Sequence, residues 1–330
     1  MMATKDKVLQ LLKDSAEFLS GEKMAKQLQV SRTSIWKAIK ELEKAGYQFE
    51  HRAKGYRYLP SDVLDAQEIS QALHYFKPDL KVHILKQSDS TMKDAKLIVA
   101  QHQMSSVLLV ADTQEQAHGR FGRPFFAKPG QGIYMSLLLH PHQRFDELPH
   151  YTIIAASACI KAIQELTGKS ASIKWVNDIY LNDKKICGIL SEAVSDMESG
   201  EISSVIIGIG MNFSIPQTHF PKEIQNKASS LFPDGNKTIT RNEMISQIWQ
   251  NFFTYLSDSS NAYLSLYRER SFVLGKKVSF TQKGVAYTGI AKEIEDHGEL
   301  IVETEHGILT LSSGEISLSA IESVYQKKTY

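Results

Sequence analysis

Ser20-Gly21-Glu22-Lys23-Met24-Ala25-Lys26-Gln27-Leu28-Gln29-Val30-Ser31-Arg32-Thr33-Ser34-Ile35-Trp36-Lys37 holds two helical apolar patterns with a short break between them. Met24, Ala25 and Leu28 share one face of residues 22–28, Gln29-Val30 makes a tight connection, and Ser31 is placed to cap the second helix. Ile35, Ala38, Ile39, Leu42 and Ala45 then line one side, leaving Arg32, Thr33, Lys37 and Lys40 on another, until Gly46 ends the pattern. Two short helices joined by a tight turn, the second with a basic outer face, predict a helix-turn-helix whose second helix enters the major groove of DNA. Gln29 stands where many such turns carry Gly.

The flanks extend this reading. Upstream, Val8, Leu11, Leu12, Ala16 and Leu19 recur at helical spacing and predict a first helix broken by Ser20-Gly21. Downstream, residues 47–51 and 55–59 alternate as two strands around Arg52-Ala53-Lys54, the tip of a wing whose charges would touch phosphates. Ser31, Arg32, Thr33, Lys37, Lys40, Arg52 and Lys54 are therefore the candidate DNA-binding residues.

Charge agrees once it is divided. The 330 residues carry a net charge of +1. Residues 1–60 hold twelve Lys/Arg against seven Asp/Glu, a net of +5, which leaves −4 for the remainder. Only the opening segment is suited to a polyanion. A hydrophobic share of 42% excludes a disordered chain, and the length suggests two or three domains. No apolar run approaches the roughly 18 residues of a membrane span, and the charged start opens an amphipathic pattern, so a cytoplasmic protein without a membrane partner is expected. Cys159 and Cys187 are too far apart for a CxxC motif, and no His/Cys cluster has metal-ligand spacing.

Pro60-Ser61-Asp62 reads as a linker. Strands are expected over 107–112, 133–139, 172–175, 186–193 and 205–213, with helices near 92–102, 151–166 and 241–256. They do not alternate strictly, which favours an α+β class with a mostly antiparallel, mixed central sheet. After Leu274 short strands over 278–280, 285–291, 300–304 and 308–311 suit a small β-barrel of about 55 residues. The expected domains are 1–62, 63–271 and 272–330.

The least ordinary stretch is Gln114-Glu115-Gln116-Ala117-His118-Gly119-Arg120-Phe121-Gly122-Arg123-Pro124, followed by Pro129-Gly130-Gln131-Gly132. So many Gly and Pro residues predict a long loop between two strands, and its two arginines can pair with carboxylate or phosphate. Lys174-Trp175-Val176-Asn177-Asp178-Ile179 puts a cation at a strand end and an Asn-Asp pair that also reads as a plain hairpin turn; Trp175 is expected in the core. Lys185-Ile186-Cys187-Gly188-Ile189-Leu190 starts a strand on a lysine, with Gly188 allowing close backbone approach, and Gly208-Ile209-Gly210-Met211-Asn212 ends another.

In this order and spacing these four motifs resemble those of biotin protein ligases, and the resemblance covers the whole chain. The winged helix and the closing stretch Gly314-Glu315-Ile316-Ser317-Leu318 resemble the bifunctional form, which is also the biotin operon repressor. The resemblance implies a central domain like class II aminoacyl-tRNA synthetases and a C-terminal SH3-like barrel. It implies ATP, Mg2+ and biotin as ligands, operator DNA and a second copy of the chain as partners, and a biotin carboxyl carrier protein or pyruvate carboxylase carrier domain as acceptor. Biotin's carboxylate would attack the α-phosphate of ATP to give biotinyl-5′-adenylate and pyrophosphate, and a lysine of the acceptor would then take the biotinyl group as an amide, releasing AMP.

That chemistry needs fixed cations and no nucleophile of the enzyme's own. The resemblance assigns Lys185, Arg120 and Arg123 to catalysis. Biotin falls to Ser90, Thr91, Met92, Gln114, His118, Gly119, Arg120, Lys185, Gly188 and Gly208. The nucleotide falls to Arg120, Arg123, Phe125, Lys174, Asn177, Asp178 and Asn212, with Asp178 as the Mg2+ contact. Met92 stands where the family commonly has Asn, His118 where it has Arg, and Phe125 where it has Trp. Two competing readings are a lipoate-type ligase of the same general fold and a biotin-sensing regulator without catalysis; the loop and the Lys-Trp-Val-Asn-Asp segment argue against the first, and three retained cations against the second.

Overall fold

The computed structural model describes residues 3–148, 150–196, 199–282, 284–312 and 316–318. They form two compact units, Met1–Leu64 and Asp65–Tyr330.

The first unit contains α1 (Thr4–Lys13), α2 (Gly21–Leu28), α3 (Arg32–Lys44) and a hairpin of β1 (Gln48–Arg52) and β2 (Gly55–Leu59). Its core is Val8, Leu9, Leu12, Leu19, Met24, Ala25, Ile35, Ala38, Ile39 and Leu42. The helix-turn-helix forms as the sequence dictates. Ser20 and Ser31 each accept a backbone N–H three residues on, at 3.1 and 3.0 Å, and Gln29 takes the left-handed conformation that closes α2.

The unit departs from the sequence expectation at three points. α1 stops at Lys13, where Ser15 turns the chain by bonding to Glu17, so Ala16 and Leu19 do not continue it. Leu19 reaches the core as extended chain, paired with Tyr56 by two 2.9 Å backbone hydrogen bonds. Gly55 sits against that pairing at φ +126°, where a Cβ would lie 2.1 Å from the Leu19 carbonyl; only glycine closes the wing there. Ala45 lies beyond the end of α3 and is exposed.

The second unit contains α4 (Ala66–Leu73), β3 (Lys81–Leu85), α5 (Thr91–Ala100), β4 (Val107–Ala111), β5 (Gly132–Leu139), α6 (Tyr151–Thr167), β6 (Ser172–Lys174), β7 (Asp178–Leu181), β8 (Lys184–Ser195), β9 (Ile202–Asn212), α7 (Arg241–Ser257) and α8 (Ala262–Arg270). The strands make one sheet in the order β3-β4-β5-β9-β8-β7-β6. Only β3 and β4 run parallel, so the sheet is mixed and mostly antiparallel as expected. Every residue of β4 and β5 is buried, because helices cover both faces. Leu138 packs on Met92 and Ala95 of α5, while Met135, of opposite parity, meets Trp249 of α7.

Then follow β10 (Lys277–Gln282), β11 (Val285–Ile294), β12 (Leu300–Thr304), β13 (Gly307–Leu311) and β14 (Ile316–Leu318), an antiparallel sheet in the order β13-β12-β11-β10-β14. Gly314 and Glu315 lie outside the described residues. Among the described residues no helix is long and apolar enough to cross a membrane.

Candidate active site

A single cavity in the second unit gathers the residues that the motifs singled out. Its lining includes Ser90, Thr91, Met92, Gln114, His118, Gly119, Arg120, Arg123, Phe125, Lys174, Asn177, Asp178, Lys185, Gly188 and Gly208. These come from the start of α5, the loop between β4 and β5, and the ends of β6, β7, β8 and β9.

The loop is tied down at its first residues. Ser88 N–H donates to the Thr113 carbonyl at 3.1 Å and Glu115 N–H to that of Ser88 at 3.0 Å. Gln114 Oε1 accepts the Thr91 N–H at 2.7 Å, so the glutamine fixes the Ser90-Thr91 turn. Thr91 is buried and its hydroxyl shares a 2.7 Å hydrogen bond with Ser136, which is fully buried. Thr91→Val keeps the shape but strands the Ser136 hydroxyl without water or partner. It is expected to cost about 1–3 kcal/mol in the stability of this unit, read by chemical unfolding. Ser90 occupies the N-cap position of α5 without a side-chain cap bond.

Further along, Gly119 N–H donates to the Arg123 carbonyl at 2.8 Å and Phe125 N–H to that of Ala117 at 2.9 Å. The loop thus forms a small tight excursion with a single 3-10 turn, Arg120–Gly122, carrying both arginines into the cavity wall. The Arg120 guanidinium stands 5.3 Å from the exposed ring of Phe121. His118 Nδ1 donates to the Gln116 carbonyl at 3.1 Å.

The glycines of the strand motifs have a reason the sequence does not show. A Cβ on Gly208 would lie 2.7 Å from Met92 Sδ, one on Gly210 3.0 Å from the Phe125 ring, and one on Gly188 3.3 Å from Lys185 Nζ. The room each glycine opens is filled by a side chain of the site itself. Met92 and Phe125, two of the unusual residues, are therefore packed against bare backbone.

Asp178 is the one carboxylate in the described lining. Lys185 Nζ forms a 2.7 Å ion pair with Asp178 Oδ1, both partly exposed to the cavity. Asn177 Nδ2 donates to the Ile189 carbonyl at 2.7 Å and Ile189 N–H to the Asn177 carbonyl at 2.9 Å, locking the β6–β7 turn onto β8. The described lining carries four cationic side chains, Arg120, Arg123, Lys174 and Lys185, and the carboxylate of Asp178, a set suited to anionic ligands. No group of three His, Cys, Asp or Glu that could hold a metal occurs among the described residues.

Asn212 is the exception. It is buried outside the cavity lining, and its Nδ2 donates to the Ser229 carbonyl at 3.0 Å. Trp175 does both jobs: it is buried, lines the cavity, and its indole N–H donates to the Gly298 carbonyl at 2.9 Å. The apolar wall of Ile189, Leu190, Ile209 and Met135 was missed by motif reading. Strand alternation marks such residues as core without telling which of them borders a ligand.

On the winged unit the candidate DNA-binding residues divide. Ser31 is spent on its cap, Lys40 pairs with Glu43 at 2.7 Å, and Arg52 pairs with Glu50. The hydrogen bond from Lys40 holds the Glu43 carboxyl below its usual range; burial opposes it and His51, 2.7 Å away, adds to it. Arg32, Thr33, Lys37 and Lys54 are exposed.

Comparisons with known proteins agree with both units. Residues 84–212 match the Biotin/lipoate A/B protein ligase family, 4–57 an HTH domain and 273–319 the Biotin protein ligase C terminal domain. The chain is 34% identical to the Bifunctional ligase/repressor BirA of Bacillus subtilis, over 92% of this chain and 94% of that protein. It is 25% identical to the protein of the same name from Escherichia coli, over 93% and 95%. Among solved structures, the biotin protein ligase from Aquifex aeolicus in complex with biotin and ATP superposes with a TM-score of 0.59 at 28% identity, covering 72% of this chain and 97% of that one.

Proposed function

The chain belongs to the family of bifunctional biotin ligase/repressors, and on that premise we propose how its cavity and its winged unit divide the work. The protein is a biotin protein ligase that activates biotin with ATP and transfers it to protein, and its helix-turn-helix makes it a biotin-dependent repressor.

The observation that carries the enzymatic part is the Lys185–Asp178 pair at the floor of an arginine-lined cavity. Bringing biotin's carboxylate to the α-phosphate joins two anions, and the barrier falls when fixed cations neutralise both. Lys185, held in place by Asp178, bridges carboxylate and α-phosphate; Arg120 reaches the same junction from the loop; Arg123 and Lys174 take the remaining phosphate charge. Ser90, Thr91 and Gln114 face the ureido ring, with Met92, His118, Gly119, Gly188 and Gly208 completing that wall. Phe125, Asn177 and Asp178 border the nucleotide. The Asp178 carboxylate is the one carboxylate in the described lining, so it would be the protein contact for Mg2+, which would supply charge neutralisation at the phosphates.

The same reading makes 1–62, 63–271 and 272–330 three functional domains, the second like class II aminoacyl-tRNA synthetases and the third an SH3-like barrel, in a cytoplasmic protein. The acceptor is a carrier domain of a biotin-dependent carboxylase. A helix-turn-helix reading two half-sites works as a homodimer. The family resemblance supports a contact between copies at an edge strand of the central sheet, which ends on β3 and β6.

Incubating the full chain with a biotin acceptor domain, ATP and either biotin or lipoate tests the assignment. Biotin is expected on the acceptor lysine by streptavidin blot, and lipoate is expected to be left unused. Modification by lipoate alone would overturn it.

A further inference from the structure

Trp36 stands apart from the chain's other tryptophans. Trp175 and Trp249 are buried, whereas Trp36 is 53% exposed. It lies one turn after Arg32 and Thr33 on α3, on the side away from the core residues Ile35, Ala38 and Ile39. With Arg32, Thr33 and the wing residues His51, Arg52 and Ala53 it lines a groove between α3 and the hairpin. Among the described residues its indole makes no hydrogen bond, ring stack or cation–π contact.

A large apolar ring held out on the basic face of a helix that enters the major groove has one chemical partner there. The C5-methyl of thymine is the apolar feature of a major-groove base edge, and side chains read it by apolar contact. We propose that Trp36 is a specificity-determining residue that reads thymine methyl groups in the operator, while Arg32, Lys37 and Lys54 hold the phosphates. The inference rests on the repressor reading, and the net charge of +5 over residues 1–60 is what argues for DNA over a protein partner on this face.

The test uses the full chain with biotin and ATP, and duplexes selected by it from a random pool. Trp36→Ala is expected to weaken binding to the selected duplex about tenfold or more, while the slope of log affinity against log salt stays unchanged. Lys37→Ala should instead lower that slope by about one. Replacing single thymines by uracil should weaken wild-type binding at one or more positions, and those positions should lose their effect in Trp36→Ala. Intrinsic fluorescence should shift to the blue when wild type binds, because Trp36 is the exposed indole. Selective wild-type binding with no change in Trp36→Ala, or a change only in the protein's self-association, overturns the proposal and leaves the repressor reading standing. Failure of wild type to select any duplex overturns both.

Discussion

Lys185→Ala is expected to cut biotin-dependent pyrophosphate release from ATP by roughly 10²–10³-fold, the loss typical of removing one fixed donor from a site of developing charge. The ammonium is positioned by its 2.7 Å contact with Asp178 and by its own backbone, whose N–H donates to the Lys227 carbonyl at 2.9 Å. Removing it also leaves Asp178 without its ion-pair partner, so the carboxylate is no longer fixed in position. Lys185→Arg keeps the charge but changes its shape, and partial recovery is expected. Near-normal pyrophosphate release by Lys185→Ala would remove this residue from the chemistry.

Ile39→Ala acts on the other unit. Ile39 is fully buried in a core of ten residues, and such a truncation costs about 2–5 kcal/mol. A unit of 64 residues buries a modest share of its surface, and total stabilities run about 5–15 kcal/mol, so this is a large fraction of what holds the helix-turn-helix together. DNA binding should be lost or strongly weakened, and the thermal transition of this unit should fall, while acceptor biotinylation continues. Parallel loss of both activities would contradict the assignment of repression to the first unit and catalysis to the second.

Local rules accounted for much of the fold. The turn between α2 and α3 was legible because its caps, Ser20 and Ser31, and its apolar spacing are set within a few residues. The same spacing misled at α1, because periodicity cannot see Ser15 turning the chain before Leu19. β3, β7, α4 and α8 are short, and β7 begins at Asp178, which by itself reads as part of a turn; it becomes a strand by pairing with Lys174 and Gly188 on its two sides.

For the site, motif order put nearly every candidate residue on one cavity wall although their positions span more than a hundred residues. What motifs could not supply was register. The opposition of Asp178 to Gly188, which sets the Lys185 ion pair, and the seating of Met92 on Gly208 and Phe125 on Gly210 depend on strand pairing and on helix packing. Asn212 illustrates the reverse: its place at the end of a glycine-rich strand resembled the site, but its amide is engaged with Ser229 instead.

The most direct measurement is a single turnover of the purified chain with ATP labelled at the α-phosphate, with Mg2+, with and without biotin, and with no acceptor present. The cavity's chemistry predicts one equivalent of biotinyl-5′-adenylate per active site and matching pyrophosphate, both dependent on biotin and both lost in Lys185→Ala. Pyrophosphate release that ignores biotin, or adenylate that forms undiminished without Lys185, would contradict it.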